Sequence, residues 1–287
     1  MNFHFRMLSC FLMLHLLPLC AQLHQLSICA VFHNESRLLR EWIAFHQIQG
    51  VEHFYIYDLQ SDDRYDQLVV PYVAQDVATV IDWPFKQGTF DKLSAYQHCL
   101  DTYGKESRWI AFIDIDEFLF CPSRCLLTDF LKDFERFAGV GINRLNFGTS
   151  RISCLSSDSL FTESFQACCR PNHPSTFQIK SIVQPELVSR CLSQHHFEPR
   201  SGETIVNSKK KLLKGPISKE PQLQQIRINH YWTRDAEFFT HVKLKRYQDK
   251  YPLQRTDEWI ERAKACETNR DTQISPWVET LKNQLTN

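Results

Sequence analysis

Apolar side chains along this chain fall into two alternating patterns. Leu26 to Phe32, His53 to Tyr57, Val77 to Ile81 and Trp109 to Ile113 are short, almost continuous apolar runs. Continuous runs, unlike strict alternation, mark strands covered on both faces, as in a parallel sheet. Between them lie segments of helical period. Glu35 to Gln49 carries Leu38, Leu39, Trp42, Ile43 and His46 on one face, and Gly50 supplies a stop. A second helix is expected from Ser61-Asp62-Asp63 towards Val73, broken near Pro71. Asp91 to Tyr103 reads as a third. This β-α-β-α-β-α-β order predicts an α/β fold with a parallel sheet and right-handed crossovers.

From residue 121 to 224 the pattern becomes irregular. Asp129 to Ala138 reads as a short helix, and Asn143 to Phe147 as a strand before the turn Gly148-Thr149-Ser150. Ser153 to Arg170, rich in Ser and Cys, is expected to form a loop or lid. Thr176 to Val183 and Gln225 to Asn229 read as strands. Thr233 is the expected cap of a helix from Arg234 to about Tyr247, and Asp257 to Thr268 is amphipathic. Residues 1–25 therefore form a leader, 26–250 one α/β domain and 251–287 a helical extension.

Composition narrows the function classes. The chain has 287 residues, with 33 basic and 33 acidic side chains and no net charge. That balance argues against a general nucleic-acid binder, which needs a basic surplus. Lys209-Lys210-Lys211 is the one basic run and reads as a solvated loop. With 8 glycines and no Gly-rich phosphate loop, a dinucleotide fold with its usual fingerprint is disfavoured. His4 and Arg6 precede a fifteen-residue apolar stretch, Met7 to Ala21. It is shorter than the roughly 20 residues that span a bilayer and closer to a signal-peptide core. A cleaved leader near Ala21, a short membrane anchor and an extraneous helix all fit, and the expectation is export or anchoring. Of eleven cysteines, Cys29 and Cys99 read as buried thiols. The loop-rich group from Cys121 to Cys191 is a candidate for disulfides of open connectivity. His173, His195 and His196 share that region, but their spacing matches no zinc module.

Candidate chemistry concentrates at Asp114-Ile115-Asp116-Glu117, directly after the last apolar run. Carboxylates this close repel one another, which points to a bound positive partner. In an extended backbone Asp114 and Asp116 would leave on one side, with Glu117 pointing elsewhere. A hard divalent cation holding a diphosphate fits, and a solvated acidic loop or helix N-terminus is the plainer alternative. Ligands of such sheets bind beyond the carboxyl ends of the strands. The other ends here are His33-Asn34-Glu35 and Asp58. Asp58 suits hydrogen bonds to a ribose or base edge, or a turn; Asn34 suits a helix N-cap. Asn34-Glu35-Ser36 is also an N-glycosylation sequon.

Several blocks, taken in order, resemble glycosyltransferase family 92. They are Ser27-Ile28-Cys29-Ala30-Val31, Asn34-Glu35, Glu41-Trp42-Ile43-Ala44-Phe45-His46, Gly50-Val51 and Phe54-Tyr55-Ile56-Tyr57-Asp58. Trp109 to Phe118, Phe147-Gly148-Thr149-Ser150 and Asn229-His230-Tyr231-Trp232 complete the set. The resemblance covers about residues 26–247. It implies a GT-A-like, Rossmann-like, mostly parallel central sheet flanked by helices, with an irregular acceptor-side region. It also implies transfer of a hexose, galactose among relatives, from a nucleotide-sugar, UDP-sugar by expectation, to a glycan or other hydroxyl acceptor with inversion. A divalent metal, Mn2+ or Mg2+, is implied at the Asp-x-Asp. Asp114 would contact ribose or metal, Asp116 would bind metal and serve catalysis, and His230 would be a third ligand or a diphosphate contact. Asn34, Glu35, Asp58 and Asp114 would line the nucleotide pocket. His33 stands where relatives often carry lysine. Inversion requires a carboxylate base, for which Glu163 is the first candidate and Glu198, Glu117 and Asp235 follow. His195-His196-Phe197 would contact donor or acceptor, or close the lid. A metal-dependent hydrolase, and an inactive sugar- or protein-binding relative, are the competing readings.

Overall fold

The computed structural model describes residues 22–84, 92–248 and 253–286. The apolar stretch 7–21 and the start of the helix at Asp91 lie outside them. Among the described residues no helix is long and apolar enough to cross a membrane.

Four strands form the parallel half of the sheet. They are β1 (His24–Phe32), β2 (His53–Asp58), β3 (Ala78–Asp82) and β4 (Ser107–Phe112), lying side by side as β3-β2-β1-β4. The helices α1 (Ser36–Ile48), α2 (Asp66–Ala74) and α3 (Lys92–Tyr103) are their crossovers. From Leu26 to Phe32, β1 is buried on both faces, as its unbroken apolar run requires. The second helix starts five residues later than expected. Asp58 and Asn34 hold residues 61–63 in a loop, and Pro71 sits within the helix.

The second half of the sheet is mixed. It uses β5 (Glu117–Phe120), β6 (Gly139–Asn146), β8 (Ile179–Val183) and β12 (Arg227–His230), in the order β4-β8-β6-β12-β5. β8 runs antiparallel to both β4 and β6, β12 runs parallel to β6, and β5 returns antiparallel to β12. The sheet is therefore less uniformly parallel than expected. α4 (Leu127–Lys132) lies before β6, and α5 (Phe161–Ser164) with β7 (Ala167–Cys168) gives the expected loop some structure. The hairpin β9 (Val188–Ser193) and β10 (His196–Pro199) follows β8, and β11 (Ile205–Asn207) extends the edge of β6.

After β12 the expected continuous helix is broken into α6 (Ala236–Phe238), a π-helical segment (Phe239–Leu244) and α7 (Lys245–Gln248). Asp235, not Thr233, caps it by accepting from Phe238 N–H, while the Thr233 hydroxyl donates to the Phe147 carbonyl. α8 (Leu253–Ala265), β13 (Asn269–Arg270) and α9 (Ser275–Thr286) complete the chain. α9 shares the main core, its Trp277 and Leu281 belonging to the same buried cluster as Trp42 and Phe45 of α1, while Ala263 of α8 packs in a separate cluster with Trp232 and Phe239. β13 pairs with β7, and a Cys169–Cys266 disulfide spans 97 residues of sequence. Gly148 allows a close approach here, because a Cβ would collide with Glu267 and the Cys266 carbonyl.

Polar groups in the core tie α1 to its surroundings. The Glu41 carboxylate accepts from Phe161 N–H, Thr162 N–H and the Thr162 hydroxyl, fixing the start of α5. His46 is fully buried. Its Nδ1 lies 2.8 Å from the Trp42 carbonyl, and its Nε2 accepts from Leu119 N–H at 3.1 Å. One nitrogen must donate and the other accept, so the ring is neutral with the hydrogen on Nδ1. Burial pushes its pKa down from 6.5 to about 3. The unfolded chain takes up this proton near pH 6.5 and the native state only near pH 3. Stability is therefore complete above pH 6.5 and falls as pH drops through that window. His46 should account for about 2 kcal/mol of lost stability between pH 6.5 and 5, at roughly 1.4 kcal/mol per pH unit. Urea unfolding across that range checks it, and His46→Gln should flatten the slope by one proton.

Candidate functional site

The strand-end acidic motif forms a tight turn between β4 and β5. Glu117 N–H donates to the Asp114 carbonyl at 3.0 Å, and Asp114 N–H donates to Glu117 Oε2 at 3.0 Å. The extended backbone expected from the spacing is replaced by this turn. Both aspartates still line one cavity of about 530 Å³. Glu117 turns inward and is fully buried, with Arg144 Nη1 at 2.8 Å and Lys180 Nζ at 3.5 Å.

Asp114 is held by two ammonium groups, Lys92 Nζ at 2.6 Å on Oδ1 and Lys180 Nζ at 2.9 Å on Oδ2. Burial alone would raise its pKa, but Lys180 and Lys92 outweigh burial and hold the carboxyl far below the usual range. Lys180 arrives by register. Ser181 of β8 faces Phe112 of β4, so the antiparallel step places Lys180 beyond the end of β4.

Asp116 faces His230. His230 pairs across β12 with Glu117 on one side and Asn146 on the other, and Tyr231 N–H donates to the Asp116 carbonyl. His230 Nδ1 lies 2.8 Å from Asn146 Oδ1, whose amide nitrogen donates to Ser175 Oγ at 2.6 Å. The amide oxygen therefore faces the ring, and His230 Nδ1 carries the hydrogen. Burial lowers the His230 pKa although Asp116 pulls the other way, which favours the neutral ring. The bare Nε2 then points at Asp116 Oδ1 across 3.4 Å. Two acceptors facing each other call for a cation between them, and a histidine with its other nitrogen donating to a second residue is the usual metal-binding arrangement. The pair fits a divalent metal. No cluster of three His, Cys, Asp or Glu side chains suited to a metal occurs among the described residues. Asp114 accepts from one lysine on each carboxylate oxygen.

Five cationic side chains line the cavity, Lys92, Arg144, Lys243, Arg246 and Arg262, against Glu35, Asp114 and Asp116. Lys243 Nζ sits 3.6 Å from Asp116 Oδ2. Trp232 and Trp259 form an aromatic wall, with the Arg262 guanidinium 4.7 Å from the Trp232 ring centre. A locally cationic cavity inside a neutral protein suits a multiply charged anion.

Other sequence candidates fall in different places. Glu35 lines the cavity and is ion-paired with Arg234. Asn34 lies just outside, in a left-handed conformation (φ 57°), and its side chain accepts from Asp62 and Asp63 N–H. It joins two strand-end loops rather than capping α1, whose Ser36 N–H is met by Asp63. Asp58 accepts from Ser61 N–H at 3.0 Å, and does not line the cavity: it builds the turn. Glu163, the first candidate for the base, is exposed and pairs with Lys282 at 2.7 Å, away from the cavity lining. Glu198 pairs with Arg190 and Asp235 caps α6, so neither is free for that role. His195 lines the cavity, whereas His173 and His196 do not. Sequence reading missed Lys92, Lys180, Arg144, Lys243 and Asn146. Lys180 and Arg144 carried a visible signal, each being a charge set in an otherwise buried strand.

Comparison with known proteins places this geometry in context. The chain is 31% identical over 180 residues to a glycosyltransferase family 92 protein of rice (Oryza sativa subsp. japonica), covering 61% of this chain and 30% of that protein. It is 25% identical over 115 residues to a galactan β-1,4-galactosyltransferase of Arabidopsis thaliana, covering 37% and 22%. The chain thus spans about a third or less of the length of the curated relatives it matches. Among solved structures, S. aureus TarS (residues 1–349) in complex with UDP is a remote likeness, with TM-score 0.39 and 15% identity over 57% of this chain and 47% of that one. The profile of glycosyltransferase family 92 matches residues 24–278, nearly the whole described chain, and the protein belongs to that family.

Proposed function

We propose that this protein transfers a hexose from a nucleotide-sugar donor to a hydroxyl acceptor, with Mn2+ or Mg2+ held at Asp116 and His230. Membership of family 92 supports the reaction class. The observation that carries the metal is the bare His230 Nε2 facing Asp116 Oδ1 in a cation-lined cavity. A bound divalent cation would neutralise charge on the departing diphosphate.

This chain's own groups divide the remaining work. Asn146 orients the His230 ring by accepting its Nδ1 hydrogen. Lys92 and Lys243 border the two aspartates and supply countercharge for a diphosphate. Glu117, held by Arg144, fixes the Asp114 backbone and so the turn. UDP is the expected nucleotide. Galactose is the expected sugar, supported by the distant likeness to a galactosyltransferase. Inversion, implied by the family resemblance, belongs to the same proposal and requires a carboxylate base other than Glu163. Export or anchoring through residues 7–21 is consistent with a disulfide, which persists in oxidising compartments.

Isothermal titration with UDP, with and without Mn2+, tests the reading: binding should depend on the metal. Asp116→Ala should abolish both transfer and metal-dependent UDP binding, with an unchanged circular dichroism spectrum. Full activity in that variant would refute the assignment. Asn146→Leu should weaken Mn2+ binding about 10- to 100-fold while the apo-protein stays folded, as loss of a ligand's supporting hydrogen bond does. A Mn2+ titration followed by calorimetry reads this directly.

A further inference from the structure

The cavity has a second wall of different chemistry. Gln178, Gln194 and His195 line it, and all three are uncharged polar groups. Gln178 already accepts from Arg144. His195 sits at the turn of the β9–β10 hairpin and is pinned to β8 at two points. Its carbonyl accepts from Ser181 Oγ at 2.9 Å, and its ring Nδ1 lies 2.9 Å from the Ile179 carbonyl. A carbonyl can only accept, so Nδ1 carries the hydrogen and Nε2 is a bare lone pair. Among the described residues Nε2 has no hydrogen-bond partner. Burial, then Lys180 and Arg144, push the ring's pKa down to about 3, so Nε2 does not become a donor near neutrality.

A fixed acceptor that cannot donate selects a particular partner. Phosphate oxygens offer it no hydrogen, but a sugar hydroxyl does. Position agrees with chemistry. Lys180 bridges Asp114 and Glu117 and lies beside His195, whereas Lys243 lies beside Asp116. The hairpin wall therefore adjoins the Asp114 side of the turn, while Lys243 lies on the Asp116 side. We propose that His195 reads the sugar of the donor, accepting one of its hydroxyl hydrogens at Nε2, and so sets which hexose is transferred. This rests on the glycosyl-transfer reading above.

The test compares UDP with UDP-galactose and UDP-glucose by calorimetry in Mn2+, for the wild type, His195→Ala and His195→Asn. The Asn variant retains an amide able to donate to Ile179, and so stands in should the Ala variant fail to fold. Each variant should bind UDP within about twofold of wild type and lose about tenfold for the preferred UDP-hexose, the scale of one neutral hydrogen bond. Among monodeoxy analogues of that hexose, one should lose about tenfold against wild type and nothing further against the variants. Equal losses for UDP and UDP-hexose would overturn the inference, because the ring would then serve the nucleotide or the fold. Unchanged donor binding with a raised KM for the acceptor would also overturn it, and would move the same hydroxyl contact to the acceptor. A wild-type protein that binds neither UDP nor UDP-hexose overturns the glycosyl-transfer reading along with it.

Discussion

A buried cluster of opposite charges holds the functional end of this sheet together. Lys180 has no solvent exposure, yet it serves Asp114 and Glu117, and Glu117 is equally buried and braced by Arg144. Charges this deep persist only when each is matched, and removing one leaves the others uncompensated at a cost of about 3–5 kcal/mol. The cluster also sets geometry. With Glu117 anchored, its carboxylate fixes the Asp114 N–H, and the turn between β4 and β5 presents Asp114 and Asp116 to the cavity.

The mixed sheet follows from the same demand. Parallel strands alone would bring only strand ends to this rim. Antiparallel β8 delivers Lys180 from the opposite direction, and the strand pair β5–β12 folds back to set His230 across from Glu117. Parallel pairing of β12 with β6 then seats Asn146 beside His230. The imidazole and its orienting amide come from the parallel strands β12 and β6, and the acidic turn leads into β5, which runs antiparallel to β12.

Much of this was legible in the residues. Continuous apolar runs gave the four parallel strands; in β1, β2 and β4 burial on both faces leaves no room for alternation, whereas the edge strand β3 is mostly half-buried. Asp114, Asp116 and His230 were found by spacing and resemblance, and they converge in one cavity. Asp58 and Asn34 were placed at the right strand ends, but their short side chains are consumed by neighbouring backbone N–H groups. Glu163 was drawn from a loop with no periodic signal, and a surface lysine holds it. Lys92 and Lys243 were invisible because a lysine on a helix ordinarily reads as a solvated charge. Only the fold shows these two directed at carboxylates 22 and 127 positions away.

Trp259 and Arg262 of the cavity's aromatic wall come from α8, and the disulfide's second cysteine follows directly after that helix. The strand-end turn, by contrast, is complete in sequence by residue 117, and its imidazole arrives at 230. During synthesis from the N-terminus, the ribosome therefore releases the acidic turn before the Trp259–Arg262 face. The pocket closes on that side, and Cys169 meets its partner, only once residues 259 to 266 have emerged.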